Sequence, residues 1–540
     1  MSSLVRRRYS CICRSITLLI ALALPCCLPS FAQTVTATLN GHVLDVQGAA
    51  IGMATVTVKN IAAGAVRTVV SDAEGRCQVT GLQPGPYEVK TTMPGFTTTL
   101  LTGIALKVGD TQELPINLAV GGTTDTVNVE AAESLLQTQT SSNGTVIDNK
   151  QVVELPLANR QFYNLALLSP AAYQPAQNST LGFRGGINIA GVSEISNQFT
   201  LNGIYDNDMG VAQPSFRPSV EVIQEFRLLT GVYPAEYGRM SGGQVSIITK
   251  SGTNGFHGSV YEFLRNEFTD AKPYFTASGA KTPSFKQNTF GATLGGPIVR
   301  NRTFLFFGYE GQRIRRAVTA LATVPTQAML NGIFPSTATL YDPTTGKVIP
   351  QLAGGGYNLA TQLPAQWSSV AGIAGQTIAK LGFPVPTSAG TSTNYAFQET
   401  RTEDIDEESL RIDHKISEKD LVSGSWNFFK DPAFETSNSL CSSYVVPKFG
   451  CYTNQISALI NVSYNRLITQ SIFNDFRVGF QRLQQTRIQE DNTAIGSNYA
   501  GLPGGSYFTQ AGYANNLGLP NTQASGYSTI GGATNLPQNR

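Results

Sequence analysis

The feature that most constrains this chain is a regular alternation of apolar and polar residues in several segments of its C-terminal half. In residues 456–464 the even positions are apolar, whereas Ser457 and Asn461 are polar. Residues 472–481 and 409–416 follow the same pattern. Because neighbouring side chains of a β-strand point to opposite faces, segments of about ten such residues predict strands with one lipid-facing side and one polar side. The pattern is typical of a transmembrane β-barrel.

Seven candidate strands can be recognised, two of which, near 258–266 and 302–313, alternate less cleanly but are strongly aromatic. The connections between them alternate in length. The candidate strands lie near residues 258–266, 287–294, 302–313, 409–416, 422–428, 456–465 and 472–481. The long connections lie near 267–286, 314–405 and 431–454, and the short ones are Pro297–Asn301, Ser417–Lys419 and Thr469–Gln470. Outer-membrane barrels have short periplasmic turns and longer extracellular loops. The alternation therefore predicts that every long connection lies outside, and a soluble β-protein offers no reason for it.

The composition argues against several other classes of protein. Lys and Arg number 38 and Asp and Glu number 36, so the formal net charge of +2 does not suit a basic nucleic-acid binder. Hydrophobic residues make up 41% of the chain, which does not suit a disordered, highly charged protein. No run of 18 or more apolar residues occurs after the first 35 positions, so membrane-spanning helices are not expected in the mature chain.

Residues 1–32 have the pattern of a secretory signal peptide. Four arginines precede an apolar stretch from Ile16 to Leu28, and Ser30–Ala32 places small residues at the −3 and −1 positions of a cleavage site. Two alternatives are an uncleaved anchor helix and a lipoprotein anchor. Prolines interrupt the apolar stretch and disfavour the first, and the proline before Cys26 disfavours the second.

Removal of the signal changes the charge and the cysteine count. The remaining residues carry 34 Lys and Arg against 36 Asp and Glu, a net charge of −2. Four of the seven cysteines leave with the signal, and Cys77, Cys441 and Cys451 remain. Cys441 and Cys451 lie close together in a loop-like stretch of an exported chain, which predicts a disulfide between them. Their spacing fits no zinc motif, and His257 and His414 are isolated, so no metal site is predicted.

Residues 33–120 predict a small all-β domain. Ala54–Lys59 alternates between apolar and polar positions, Asp72–Gly75 and Pro84–Pro86 have the composition of turns, and Cys77 and Val79 are expected to point to one side. Turns that recur every 8–12 residues are typical of a β-sandwich. A segment of about 85 residues is long enough for one compact core.

Four runs of this segment together resemble the carboxypeptidase regulatory-like domain: Gly41–Asp45, Ser71–Arg76, Gly81–Tyr87 and Met93–Phe96. The resemblance implies the accessory sandwich of carboxypeptidases rather than their catalytic domain. No H-x-x-E, H-E-x-x-H, G-x-S-x-G or Walker motif occurs in the chain, and Asp72 and Glu74 are interpreted as turn residues. We therefore predict no catalytic residue, no cofactor and no enzymatic activity.

Residues 121–254 combine short helical and extended segments. Apolar residues at helical spacing predict amphipathic turns that are broken at Pro156: Val152, Leu155, Phe162, Leu165 and Leu168. Asp206-Asn207-Asp208 invites comparison with a calcium site, but the spaced ligands of such a loop are missing. A solvated turn is the prediction for this triplet.

The most informative runs of this part resemble the junction between plug and barrel in TonB-dependent outer-membrane receptors, particularly the Oar-like group. These runs are Val220–Arg227, Tyr233–Arg239, Gly242–Val245 and Thr249–Gly258. That group also carries a carboxypeptidase regulatory-like domain ahead of the plug. The resemblance implies a mainly β chain in the outer-membrane lipid, with a β-sandwich at 33–120, an α+β plug within 121–254 and the first part of a transmembrane antiparallel β-barrel at 255–540.

A short extended segment, Asp125–Glu130, follows a pair of glycines. The resemblance makes it a candidate TonB box, the segment that such receptors offer to TonB, formed by Asp125, Thr126, Val127, Asn128 and Val129. TonB and its inner-membrane energising complex are the implied partners. An open strand edge is suited to capture by strand addition. From the residues alone, a last edge strand or a plain linker remains an alternative.

Two functions are compatible with these features. The first is a TonB-dependent transporter for an unidentified nutrient, and the second is a surface adhesion protein that uses the barrel as an anchor and the sandwich as a module binding protein or carbohydrate. Substrate-binding residues are not assigned, because Tyr and Asn in the 314–405 loop fit a sugar, a peptide or a metal chelate equally well. Nucleic acid is not an expected partner.

Length generates a further prediction. Plugged transporters of this class have 22 strands, which need on the order of 500 residues after the plug, whereas 286 residues follow position 254. We therefore expect the N-terminal part of a longer receptor or a split gene product. An open barrel would leave unpaired backbone groups in lipid, so the 540-residue chain expressed alone should form no working pore. A folded, heat-modifiable outer-membrane species would contradict this.

Overall fold

The structure is a computed structural model, and its described residues form three units that follow one another along the chain. The described residues are 36–121, 126–130, 143–157, 160–175, 186–208, 213–233, 237–271, 282–330, 333–334, 339–342, 345–362, 384–436, 450–469 and 472–490. The predicted signal peptide lies outside them. Below, the three units are called the sandwich (residues 36–130), the central unit (residues 143–249) and the barrel sheet (residues 257–490).

The sandwich consists of two sheets around one apolar core. Its strands are β1 (Ala37–Asp45), β2 (Thr55–Asn60), β3 (Val66–Val70), β4 (Arg76–Leu82), β5 (Gly85–Thr92), β6 (Thr98–Leu106), β7 (Thr111–Leu118) and β8 (Thr126–Glu130). One sheet has the order β4-β1-β7 and the other the order β3-β2-β5-β6-β8. Two pairs are parallel, β1 with β7 and β6 with β8, and the remaining neighbours are antiparallel.

The alternation of apolar and polar residues in the sequence determines which side chains form this core. Every second residue of β2 and β5 is buried between the two sheets. Cys77 and Val79 are both buried on the same side of β4, as predicted. The Asp72 carboxylate accepts hydrogen bonds from the amides of Glu74 at 3.1 Å and Arg76 at 2.7 Å, so Asp72 shapes the turn before β4. These contacts agree with the interpretation of Asp72 as a turn residue.

The central unit is built on a mixed five-stranded sheet. Its elements are β9 (Gly144–Asp148), α1 (Asn149–Glu154), β10 (Ala172–Tyr173), β11 (Asn188–Ile189), β12 (Gln198–Leu201), β13 (Ile204–Tyr205), β14 (Ile223–Leu229) and β15 (Gln244–Thr249), with 3-10 turns at Phe162–Leu168, Glu194–Ser196 and Val220–Val222. The sheet order is β13-β12-β15-β14-β9, and β10 pairs only with β11. β12 and β15 run parallel, and the other pairs are antiparallel.

Local sequence explains where α1 begins and ends. Asp148 and Gln151 form a capping box, with hydrogen bonds of 2.9 Å and 3.3 Å between each side chain and the other residue's amide. The helix stops at Glu154, ahead of Pro156, because a proline disfavours helical backbone in the residue before it. No helix among the described residues is long and apolar enough to cross a membrane.

The predicted amphipathic turns are partly correct. Val152, Phe162 and Leu165 are buried in the core of the central unit. The expectation for Leu155 and Leu168 was wrong, because both side chains are exposed at the ends of their turns. Helical spacing assumes one continuous helix, whereas Pro156 separates an α-helix from a tighter 3-10 turn whose residues follow a different period.

The barrel sheet contains seven long antiparallel strands in sequence order. They are β16 (His257–Asn266), β17 (Phe285–Val299), β18 (Thr303–Ala322), β21 (Tyr395–Lys415), β22 (Asp420–Glu435), β23 (Cys451–Leu467) and β24 (Phe473–Gln489). The long connection after β18 carries α2 (Gln327–Leu330), β19 (Ile333–Phe334), β20 (Tyr357–Asn358) and α3 (Leu359–Gln362). The seven strands and their alternating long and short connections agree with the prediction.

The two faces of the barrel sheet differ as the alternation requires. Outward positions such as Val260 (88% exposed) and Val478 (55% exposed) are apolar, although nothing in the structure covers them. Inward positions such as Ser409, Asp413 and Asn427 are polar, and the central unit or neighbouring strands bury them. A lipid environment accounts for the apolar outward face.

The strands extend further than predicted on the long-connection side. β18 reaches Ala322, whereas the sequence suggested an end near 313, and β21 begins at Tyr395 rather than near 406. The outward face of this extension is charged: Arg315 bonds Asp404 at 2.7 Å and Arg313 bonds Asp406 at 2.7 Å. Because cross-strand ion pairs replace the apolar residues there, an apolar pattern stops short of the true strand ends.

If the outward face lies in lipid, a charged substitution on it should lower the free energy of unfolding by an amount that depends on its depth in the membrane. Val478→Arg in the full-length protein places a cation in the middle of the apolar band and should destabilise the fold by about 2–4 kcal/mol. Gln484→Arg, also outward but closer to the charged end of the strands, should cost about 0–1 kcal/mol. Urea unfolding in lipid vesicles measures both, and equal effects of the two substitutions would contradict a lipid-facing surface.

Candidate functional site

The three units meet at one end of the barrel sheet, the end that carries its short turns. The short turns are residues 300–302, residues 416–419 and the connection between Leu467 and Phe473, of which 468–469 and 472 are described. The sandwich lies against this end: Arg67 of β3 donates a hydrogen bond to the carbonyl of Glu418 at 2.8 Å. The candidate site is therefore built from the contacts that hold the sandwich, the central unit and the barrel sheet together.

One close contact between sandwich and barrel sheet is made at Gly81. Gly81 has φ +71°, a conformation that side chains rarely adopt, and a Cβ atom here would lie 2.2 Å from the ring of Phe473. Phe473 is the first residue of β24, directly after the third short turn. Only glycine allows the β4–β5 corner of the sandwich to approach this ring.

Asn254 joins the sandwich to the first short turn. Its amide donates to the carbonyl of Ala62, in the β2–β3 turn, at 3.1 Å. Its side chain exchanges two hydrogen bonds of 2.8 Å with Asn301, one to the side-chain oxygen and one from the backbone amide. Gly64 packs against the same Asn301 side chain. The sandwich thus reaches each of the three short turns.

Two charged residues of β14 hold a third turn, β6–β7, at the same end of the sandwich. Glu225 accepts a hydrogen bond from the Val108 amide at 2.6 Å, and Arg227 donates to the carbonyl of Gly109 at 2.7 Å and to that of Val108 at 3.3 Å. Both side chains are buried, and both project from the same face of β14. We call this contact between β14 and the β6–β7 turn the β14 latch.

The environment of the β14 latch alters the acidity of Glu225. Burial raises the pKa of the Glu225 carboxyl to about 8, because an ionised carboxylate loses its hydration there. The hydrogen bond from Val108 and the charge of Lys107 oppose this rise, whereas Asp110 and Asp148 add to it. Near neutral pH, docking of the sandwich therefore favours the protonated form of Glu225.

Hydrogen bonds of Asn202 connect the central unit to the inner wall of the barrel sheet. Its side chain accepts from the Thr249 amide at 3.0 Å and donates to Ser425 at 3.3 Å, and its carbonyl accepts from Asn461 at 3.1 Å. Asn202 has φ +50°, a value that asparagine tolerates better than most residues. One residue thus links the β12–β13 turn to β15, β22 and β23.

A second group of contacts lies where the chain passes from the central unit into the barrel sheet. Arg411 donates to the carbonyl of Thr249 at 2.7 Å and pairs with Asp413 at 2.9 Å. Asp413 also accepts from Ser251 at 2.5 Å and from Ser423 at 2.6 Å. The network fixes the start of the barrel chain to the inner faces of β21 and β22.

Arg160 provides the contact between the central unit and β16. It pairs with Glu221 at 2.8 Å, and its guanidinium lies 3.9 Å from the centroid of the Phe263 ring. The wall also contributes an apolar contact, because Phe429 and Leu459 belong to the core of the central unit. The central unit is therefore held in the lumen by scattered polar contacts and one small apolar patch.

The prediction of a solvated turn at Asp206-Asn207-Asp208 was wrong for its first two residues. Both are buried: Asp206 accepts from the Phe216 amide at 3.0 Å, and Asn207 accepts from the Phe199 amide at 2.7 Å. Burial raises the pKa of the Asp206 carboxyl. These side chains organise the loop after β13, and no group of three potential metal ligands occurs among the described residues.

The candidate TonB box is the edge strand β8. Thr126, Val127, Asn128, Val129 and Glu130 pair in parallel with Thr98–Thr102 of β6, so the segment is not left unpaired. Val127 and Val129 are 45% and 41% exposed, and β8 ends the strand order of its sheet. Asp125 lies outside the described residues. The position agrees with the edge-strand alternative, and a role as TonB box stays a prediction.

Cys451 opens β23 at the end of the sheet opposite the sandwich. It is fully buried and is bonded in a disulfide. Its predicted partner, Cys441, lies outside the described residues, so the pairing of Cys441 with Cys451 stays a prediction. Cys77 is a free, buried thiol in the sandwich.

Sequence reasoning did not identify the residues of the β14 latch. Glu225 and Arg227 stand two apart in the strand Ile223–Leu229, whose other face carries Phe226 and Leu228 into the core. Two opposite charges on one face of such a strand are a signal that this face meets another polar surface. The partner, the β6–β7 turn, is more than one hundred residues away and has no sequence signal of its own.

Two protein families match the chain. Residues 248–540, more than half of the chain, match the family described as outer membrane beta barrel domain. Residues 38–119 match the carboxypeptidase regulatory-like domain. Both resemblances read from the sequence are thereby confirmed, and the barrel family indicates a location in the outer membrane.

Similar proteins include transporters and receptors. The TonB-dependent transporter Oar of Myxococcus xanthus is 28% identical over 296 residues, which cover 52% of this chain and 27% of the relative. The outer membrane transporter YddB of Escherichia coli has a TM-score of 0.40 at 12% identity over 64% of this chain and 39% of its own. A mutant ferric enterobactin receptor PfeA of Pseudomonas aeruginosa has a TM-score of 0.36 at 11% identity over 64% and 41%. The chain spans about a quarter of the Myxococcus protein.

The β14 latch predicts a pH dependence. The Glu225 pKa of about 8 exceeds its ordinary value of 4.5, so the folded state holds a proton that the unfolded state releases. The stability associated with this group is fully present below about pH 4.5 and is lost as the pH rises towards 8. Glu225→Gln should flatten this decline, and thermal unfolding midpoints of the full-length protein between pH 5 and pH 9 measure it.

Glu74→Gln, in an exposed turn of the sandwich, is the matched control and should keep the wild-type pH profile. An unchanged profile in the Glu225→Gln variant would show that the latch carboxyl does not titrate in this range.

Proposed function

Because the chain belongs to the outer membrane beta barrel family, we propose that it is a receptor that transports an unidentified nutrient across the outer membrane with energy delivered through TonB. In this proposal the segments predicted from the sequence have distinct roles. The sandwich spans 33–120, the central unit is the plug within 121–254, and the barrel begins at 255. Outer-membrane lipid surrounds the apolar outward face.

The observation that carries the proposal is the open edge of β8. Its five residues are extended, and its side chains from Val127 to Glu130 are exposed. Among the described residues no strand pairs with the outer edge of β8, so this edge can accept another strand. TonB would bind here by strand addition, which uses backbone hydrogen bonds and demands little of the side chains.

The contacts of the central unit suit a movable plug. Asn202, Arg411 and Arg160 hold it to the wall through hydrogen bonds and ion pairs that water can replace. A nutrient would pass between this unit and the inner wall once these contacts are rearranged. The similar Myxococcus protein is named a TonB-dependent transporter.

Adhesion through the sandwich is the second candidate, and the geometry argues against it. The sandwich contacts the short turns, which in outer-membrane barrels face the periplasm. A module that binds an external surface would need to lie at the opposite end, beside the long connections.

The proposal predicts that the β8 backbone matters more than its side chains. Val129→Pro removes a backbone donor and should abolish energised uptake, whereas the matched substitution Asn128→Ala should keep most of it. Deletion of 125–130 should act like Val129→Pro. Uptake is measured in cells with one labelled probe of each class: a ferric siderophore, an oligosaccharide and a short peptide.

Adhesion of the same cells to a surface coated with protein or carbohydrate tests the second candidate function. Loss of uptake with unchanged binding of probe to the cell surface supports energy coupling through β8. Full uptake of every probe by the Val129→Pro and deletion variants would refute it, and lost adhesion with no uptake in the wild type would favour the anchor function.

A further inference from the structure

The sandwich is fastened over one end of the barrel at several separate points. It contacts the first short turn through Gly64 and the second through Arg67, and through Gly81 it contacts Phe473, which follows the third. The β14 latch holds it to the central unit as well. A domain that was merely tethered by a linker would not touch every short turn at this end.

The sandwich also closes a cleft that opens between the central unit and the wall. Gln83 and Pro84 at the β4–β5 corner line it from one side, and Asn202 lines it from the central unit. The wall contributes mainly polar side chains, among them Arg411 and Ser463. A solute that moves down this polar wall meets the sandwich as the floor of the cleft.

The contact between sandwich and barrel sheet is separable. Among the described residues it includes isolated hydrogen bonds, such as that from Arg67 to Glu418 at 2.8 Å, and the close approaches of Gly64 to Asn301 and of Gly81 to Phe473. A second cleft, lined by Asn60 and Tyr87 on the sandwich and by Lys415 on the barrel sheet, remains between the two. Permanent interfaces are packed as densely as protein interiors, whereas this one is incompletely filled.

The described part of the candidate TonB box, residues 126–129, belongs to the sheet of the sandwich. β8 is bonded to β6, and β6 leads directly into the turn that the β14 latch grips. The sandwich has its own continuous core, so it can move without unfolding. A pull on β8 is therefore transmitted to the whole sandwich, and through the latch to the central unit.

We propose that the sandwich is a gate at the periplasmic end of the barrel, which a pull on β8 lifts from the short turns. This inference rests on the proposed function, because it takes the pull to come from TonB. With the gate seated, the floor of the cleft is closed, and the nutrient path opens only when the sandwich leaves the short turns.

Labelling of an engineered cysteine tests the movement. Gln83→Cys in the full-length protein places a thiol at the floor of the cleft, and Val46→Cys places one in an exposed turn at the far end of the sandwich. The outer membrane of the cells is made permeable to small reagents. A membrane-impermeant maleimide is then added before and after treatment with an uncoupler. The Gln83→Cys thiol should react several-fold faster in energised cells, whereas the Val46→Cys thiol should react equally fast in both.

A cross-link provides the converse test. The backbone hydrogen bond between Ala62 and Asn254 brings the two residues within the range of a disulfide. Ala62→Cys with Asn254→Cys should fix the sandwich to the barrel when oxidised and abolish energised labelling at position 83. Reduction with dithiothreitol should restore the labelling, which separates a locked gate from a misfolded variant.

A disulfide cross-link between Val129→Cys and a cysteine introduced into TonB measures TonB binding independently of gate movement. It therefore distinguishes failure of the gate from failure of the proposed function. A disulfide between Val129→Cys and TonB, together with equal labelling of Gln83→Cys in energised and uncoupled cells, would overturn the gate and leave TonB coupling intact. Absence of both signals would overturn both proposals. Thr36→Cys, which lines the same cleft, repeats the measurement if Gln83→Cys does not fold.

Discussion

The polarity of the inner wall is the constraint on which the rest of the molecule depends. Strands that put apolar residues towards lipid must put their other residues inward, so Ser425, Asn427 and Asn461 face the lumen. Buried polar groups are costly without partners, and Asn202 of the central unit supplies hydrogen bonds to two of these residues. Because the strands are amphipathic, the central unit meets the inner wall largely through polar side chains.

The barrel strands were predictable because period-two alternation is a local property of each strand. Their ends were not, because the charged pairs Arg315–Asp404 and Arg313–Asp406 continue the pairing without an apolar face. Family resemblance, rather than periodicity, located the boundary near residue 254. The turn composition of Asp72–Gly75 was equally local and was correctly interpreted.

The contacts between units were beyond sequence reasoning for a physical reason. Asp206 and Asn207 have the composition of a solvated turn, and only the fold around them turns that composition into buried hydrogen bonds. Glu225 and Arg227 form hydrogen bonds with backbone atoms of the β6–β7 turn. Every residue type has these backbone atoms, so the sequence of the turn does not reveal the contact. β8 was ambiguous because an extended edge strand and a recognition segment have the same composition.

The glycine at position 81 limits how such proteins can be assembled from parts. Its backbone conformation serves the β4–β5 corner, and its missing side chain leaves room for Phe473. A sandwich from another protein would need the same corner and the same gap to sit on this barrel. The N-terminal domain is thus not an interchangeable cassette, although its fold and core are self-contained: sandwich and barrel have to be matched as a pair.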